Sequence, residues 1–122
     1  RIEIAGLTGL AELGDKKAFD PAFRLASDKS RPLGVRLAAL GVVGATGKGD
    51  ARAYPLIFEQ FKRAFDANDF NDLVRSIEAI IRLADPRGQE AFEMLKAKFK
   101  DNPDILNGVR FYETQFKAAI KK

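Results

Sequence analysis

The stretch "GVVGATGKGD", Gly41–Asp50, gathers four glycines around Lys48, the composition of a loop that wraps phosphate in backbone N–H groups. A phosphate loop needs Gly, four residues, then Gly-Lys and Ser or Thr, opening a helix directly after a strand. Here Val42 stands five places before Gly47, Gly49 follows the lysine, and the segment before it reads as helix. The motif fails in spacing and in context. The same residues suit a helix end, with Gly47 and Gly49 expected at positive φ and Asp50 capping the next helix. "DANDFND" gathers Asp66, Asp69 and Asp72 and invites a calcium reading. A calcium loop counted from Asp66 needs glycine at its sixth position and glutamate at its twelfth. Asn71 and Ile77 stand there, so a polar turn with a capping residue is expected.

The chain has no cysteine and no histidine. Disulfides, thiolate and imidazole metal sites, and the commonest general base are thereby excluded. The segment is expected to be non-catalytic, with no cofactor and no metal. The basic run Lys96–Lys100, "KAKFK", falls at a helix end, where positive charge offsets the macrodipole. With Lys117, Lys121 and Lys122 it still lacks the dense stripe and interleaved aromatics of a nucleic-acid surface. Net charge is +4, from 21 basic and 17 acidic side chains mostly interleaved, which indicates a solvated surface laced with ion pairs. The longest run of apolar and glycine residues, Leu37–Ala45, is far shorter than a membrane span, so no membrane partner is expected. The cysteine-free composition suits cytoplasm or periplasm alike.

The elements that must carry these residues read as helices throughout. Val74, Ile77, Ile80, Ile81 and Ala84 follow amphipathic helical spacing, as do Ile105, Val109, Tyr112, Phe116 and Ile120. In the second stripe Arg110, Glu113 and Lys117 point away from the apolar side. Breakers divide the chain into seven helical segments, about 1–13, 16–28, 33–46, 51–66, 70–84, 87–100 and 104–121. The length suits a single domain. The chain opens on Arg1 inside an already helical pattern, and so reads as a piece of a longer polypeptide.

The segments recur. Asp15, Asp50 and Asp85 each follow an apolar helix and precede a basic residue two places on, at spacings of 35 and 35. Arg1, Arg36, Arg75 and Arg110 open alternate helices at spacings of 35, 39 and 35, with Asp28, Asp66 and Asp101 eight or nine residues before the last three. An approximate period of this length is the mark of stacked repeats. Small residues Ala38, Ala39, Gly41 and Gly44 would let neighbouring helices approach closely, and Phe111, Tyr112 and Phe116 suit a terminal helix.

"LAELGDKKAFDPAFRLASD" and "GVRLAALGVVG" resemble the HEAT repeat family in its short bacterial form. The third repeat departs from the pattern, since "RLADPRGQEAF" lacks the glycine before Asp85. The resemblance implies an all-α, right-handed α-solenoid in two layers, with boundaries 1–14, 15–49, 50–84 and 85–122. It implies that helices 16–28, 51–66 and 87–100 lie outside and 1–13, 33–46, 70–84 and 104–121 line a concave face. It also implies a structural ladder of Asp28, Arg36, Asp66, Arg75, Asp101 and Arg110, in which the aspartates cap and the arginines bond to the turn of the next repeat. The expected concave-face contacts are Thr8, Glu12, Glu78, Arg82, Glu113 and Lys117, whose mixed signs suit a protein partner of mixed charge. That face would measure roughly 700 Å² for four helices of usual spacing and length, close to one side of a standard protein interface.

"SRPLGVRLAALGVVG", followed by further repeats, also resembles the C-terminal HEAT-type module of bacterial aminopeptidase N-type zinc metallopeptidases. There the zinc ligands lie in an upstream domain, and the module is implied to cover the active-site cavity. None of that chemistry transfers to this histidine-free segment. Two other readings are a stand-alone scaffold for a protein partner and a nucleic-acid-binding HEAT-like domain. Glu78 and Glu113, one turn from Arg82 and Lys117, oppose the nucleic-acid reading.

Overall fold

The computed structural model describes residues 16–122, and among these every regular element is helical. Six α-helices follow in order: α1 (Phe19–Ser27), α2 (Leu33–Thr46), α3 (Ala53–Ala67), α4 (Phe70–Leu83), α5 (Gln89–Lys98) and α6 (Pro103–Lys121). Single 3₁₀ turns, Lys16–Ala18 and Pro86–Gly88, lead into α1 and α5. The all-α class is therefore observed. The described residues hold six helices, and the remaining expected segment, 1–13, lies outside them, as do Thr8, Glu12 and Asp15.

The helix ends follow local chemistry. Asp69 opens α4 by accepting the Asp72 amide at 3.3 Å, and Asn102 opens α6 by accepting the Ile105 amide at 3.2 Å. Pro103, in the first turn of α6, has no N–H to leave unpaired. Asn68 closes α3 in the left-handed conformation, φ 54°, with its amide bonded back to the helix carbonyls.

One apolar core runs through all six helices, from Phe19 and Ala22 in α1 to Val109 and Phe116 in α6. Helix α2 packs on α1 and α4, α4 also on α3 and α6, and α6 on α5. The α2–α4 crossing is close because Gly44 has no side chain. A Cβ there would lie 2.7 Å from the Ala79 carbonyl oxygen and 3.1 Å from its Cα. Of the expected spacer residues, Ala39 is fully buried and Gly44 makes this backbone contact. The last helix is held more sparsely: Val109, Glu113 and Phe116 are its buried residues, whereas α2 and α4 bury seven each. Of its three aromatics, Phe116 is buried against Phe92 at 5.2 Å, Tyr112 is half-buried and Phe111 is exposed.

Candidate functional site

The glycine loop is a joint between helices. Gly49 takes φ +85°, as its place predicts, but Gly47 does not: its φ is −91°. Gly47 is required for space. A Cβ there would stand 2.6 Å from the Val43 carbonyl oxygen and 2.7 Å from Ala53 Cβ. The amides of Gly47, Asp50 and Ala53 donate to backbone carbonyls, and that of Arg52 to Asp50 Oδ1. Asp50 and Asp85 stand with Lys48 and Arg87 in the wall of a cavity of about 340 Å³ shared by Gly47–Ala51 and Leu83–Arg87.

The same joint is built twice. At Asp50, Oδ1 accepts the Arg52 amide at 2.9 Å and its Nε at 3.0 Å, and Oδ2 accepts a terminal guanidinium N–H at 2.9 Å. At Asp85 the corresponding distances to Arg87 are 2.9, 3.1 and 2.7 Å. Each arginine then covers an aromatic ring 33 residues upstream: Arg52 lies 4.9 Å from the Phe19 centroid, and Arg87 lies 4.5 Å from that of Tyr54. The residue before each aspartate is left-handed, Gly49 at φ +85° and Ala84 at φ 55°. Joint and aromatic together tie the lead-in of α3 to α1 and the lead-in of α5 to α3.

The electrostatics follow this geometry. Hydrogen bonds from the Arg52 guanidinium, then from its backbone amide, hold the Asp50 carboxyl at about 2. The Arg87 guanidinium likewise keeps Asp85 below the usual carboxylate range. Burial, followed by the hydrogen bond to Glu90 at 2.6 Å, pushes the Tyr54 phenol well above its ordinary value. Arg52 also reaches back to Asp20 of α1 at 2.9 Å. These groups are hydrogen-bonded to one another and join neighbouring helices.

The expected Asp–Arg ladder takes other partners. Asp28 bonds Ser30 at 2.6 Å and pairs with Arg31 at 3.5 Å, and Asp66 pairs with Lys62 of its own helix at 3.8 Å. Arg36 is half-buried, with its Nε buried and unpartnered, while Arg75, Asp101 and Arg110 are exposed. The reason is reach: the donors nearest Asp28 are in its own turn, and the one nearest Asp66 is a turn back on its own helix. Asp69 and Asp72 are also separately engaged, the first as a helix cap and the second with Arg63 at 2.7 Å.

Of the residues expected on the concave face, Glu78 and Arg82 are exposed one turn apart on α4, and Lys117 is exposed on α6. Glu113 is a correction. It does not point outward but is buried against α5, accepting from Gln89 at 2.6 Å and Lys96 at 3.0 Å, with Lys117 at 3.8 Å. Its amphipathic position next to Tyr112 faces a neighbour rich in donors, so the carboxylate is paired inside. "KAKFK" is partly spent in the same way. Lys96 bridges Glu93 and Glu113, and Lys98 donates to the Phe65 carbonyl and lies over the Phe65 ring. Sequence spacing missed the arginine–aromatic stacking and the Tyr54–Glu90 and Arg63–Asp72 bonds. The available signal was the aromatic that stands 33 residues before each joint arginine.

Comparison with protein-family models, with curated proteins and with solved structures finds no match to this chain.

Proposed function

We propose that this segment is a non-catalytic helical-repeat module of the HEAT-like kind, whose α2–α4–α6 side rests on protein. The observation that carries the reading is the duplicated joint: a left-handed residue, Asp-x-Arg, and an aromatic 33 residues back, in the same geometry twice. Repeated joints of one geometry are what a stack of equivalent helix pairs requires. On this reading α1, α3 and α5 form the outer layer of a right-handed solenoid, and α2, α4 and α6 the inner one.

The inner partner is another domain of the same polypeptide, as the resemblance to the terminal module of bacterial aminopeptidase N-type metallopeptidases implies. The module would pack on the catalytic domain and shape access to its cavity. Exposed Arg75, Glu78, Arg82, Arg110 and Lys117 give that side mixed charge, which suits a protein surface better than a polyanion.

The test compares side-chain footprinting of the complete gene product with that of the isolated 122-residue chain. Carboxyl labelling of Glu78 and acylation of Lys117 should both slow in the complete product. Equal reactivity in the two, or an upstream sequence without an H-E-x-x-H helix, overturns the metallopeptidase reading. Duplex DNA at low salt should show no detectable binding, since such binding draws on dense positive charge.

A further inference from the structure

The helices expose their charges unequally. Helices α1, α3, α4 and α5 each show both signs to solvent, as in Glu59, Lys62 and Asp66 of α3 or Arg75, Glu78 and Arg82 of α4. Helix α6 does not. Asn107, Arg110, Thr114, Lys117 and Lys121 recur at steps of three and four residues, which places them on one face, and all five are exposed. That face holds three cations and no acid. The acids of α6 stand elsewhere, Asp104 in its first turn and Glu113 buried against α5.

The chain itself does little to neutralise the three. Arg110 and Lys121 make no ion pair among the described residues. Lys117 lies 3.8 Å from a Glu113 oxygen that Gln89 and Lys96 already reach at 2.6 and 3.0 Å. The macrodipole favours Lys121 in the last turn but gives nothing to Arg110 at mid-helix, and Lys117 and Lys121 repel each other across one turn. Nor does the face suit a further helix of a stack, which would need an apolar stripe there.

Cations without acids are complementary to carboxylates brought by a partner. At the usual helical rise Arg110 and Lys117 are about 10 Å apart, and Lys117 and Lys121 about 6 Å. That is sparse beside duplex DNA, which carries a charge about every 1.7 Å of its axis. An anionic lipid surface would favour apolar side chains beside the cations, whereas Asn107 and Thr114 stand between them.

We propose that the protein surface resting on α6 is acidic, and that its carboxylates meet Arg110, Lys117 and Lys121. That surface is the neighbouring domain of the reading above, on which this assignment of charge rests. Arg110 is the anchor, since a guanidinium can take one carboxylate through two parallel N–H bonds.

The 122-residue chain tests the chemistry apart from the parent polypeptide. The probe is a labelled alanine-based helical peptide with four glutamates at the spacing of one helix face, followed by fluorescence anisotropy at about 50 mM salt, where screening is incomplete. It should bind, its glutamine counterpart should not, and added salt should weaken it steeply. Arg110→Glu with Lys121→Glu should raise the dissociation constant about tenfold or more. Lys29→Glu with Lys48→Glu, the same change of net charge at exposed sites elsewhere, should raise it less than about threefold. Circular dichroism should be alike for all, because every changed side chain is exposed. No binding of the glutamate probe, equal losses in the two pairs, or tighter binding of duplex DNA or anionic vesicles overturns the proposal. The interdomain reading fails separately, on equal Lys117 reactivity in the complete product and the isolated chain, whatever the peptide does.

Discussion

Ala84 and Gly49 hold the same place in two joints, each just before the capping aspartate, and both are left-handed. For glycine that conformation is free of steric penalty, whereas for alanine it costs roughly 1–2 kcal/mol. Glycine gives part of this back through the greater freedom of its unfolded chain, about 0.5–1 kcal/mol. Ala84→Gly should therefore stabilise the fold by about 0.5 kcal/mol or slightly more, and Gly49→Ala should destabilise it by about 1 kcal/mol. Urea melts of the pair read this directly, and two changes of the same sign would refute the equivalence of the joints. The missing glycine before Asp85 was visible in the sequence, but its consequence was not. Spacing indicates that a turn must occur, and only the backbone shows that alanine is held in a conformation suited to glycine. Gly47 teaches the converse. Its place at a helix end suggested a positive φ, yet the packing of Phe19 and Ala53 is what forbids a side chain there.

Helix α6 is held to α5 by an apolar contact and a polar one. Phe116 packs on Phe92, while Glu113 draws Gln89 and Lys96 of α5 onto a single carboxylate oxygen. Burial raises the Glu113 pKa, but the hydrogen bonds from Gln89 and Lys96 outweigh it, and the net shift is downward. A carboxyl lowered in the folded state adds stability that is fully present above its ordinary value of 4.5 and is lost as pH falls through the folded value. Glu113→Gln should accordingly be less stable than wild type at neutral pH, by about 1–2 kcal/mol for weakened charge-assisted bonds. The deficit should shrink between neutral pH and an acidic pH below the lowered folded value, where wild type itself loses the charge. Parallel melts at the two pH values measure it, and a deficit constant with pH would show that Glu113 acts by shape alone. Helical boundaries were readable within a few residues because breakers and caps are local signals. The inward turn of Glu113 was not, because the helical period says which side chains share a face, not whether a neighbour offers donors to it.

The six described helices share one core, yet its density is uneven along the chain. Helices α2 and α4 each bury seven residues and cross at the Gly44–Ala79 backbone contact, whereas α6 buries three. A molecule built of stacked pairs should open from its weaker end, because each pair is stabilised only by its neighbours. Phe116→Ala removes a fully buried ring and leaves a cavity against Phe92, a change that costs about 3–5 kcal/mol in a well-packed core. In a stack, that loss is confined largely to the pair that feels it. Native-state hydrogen exchange should show the amides of α5 and α6 accelerated in Phe116→Ala, while those of α2 keep most of their protection. If α2 and α4 lose protection by the same free energy as α6, the six helices unfold as one cooperative unit. The duplicated Asp-x-Arg joints would then be shared decoration on a single globule, and the inner side of α2, α4 and α6 would lose its claim to be a repeat surface.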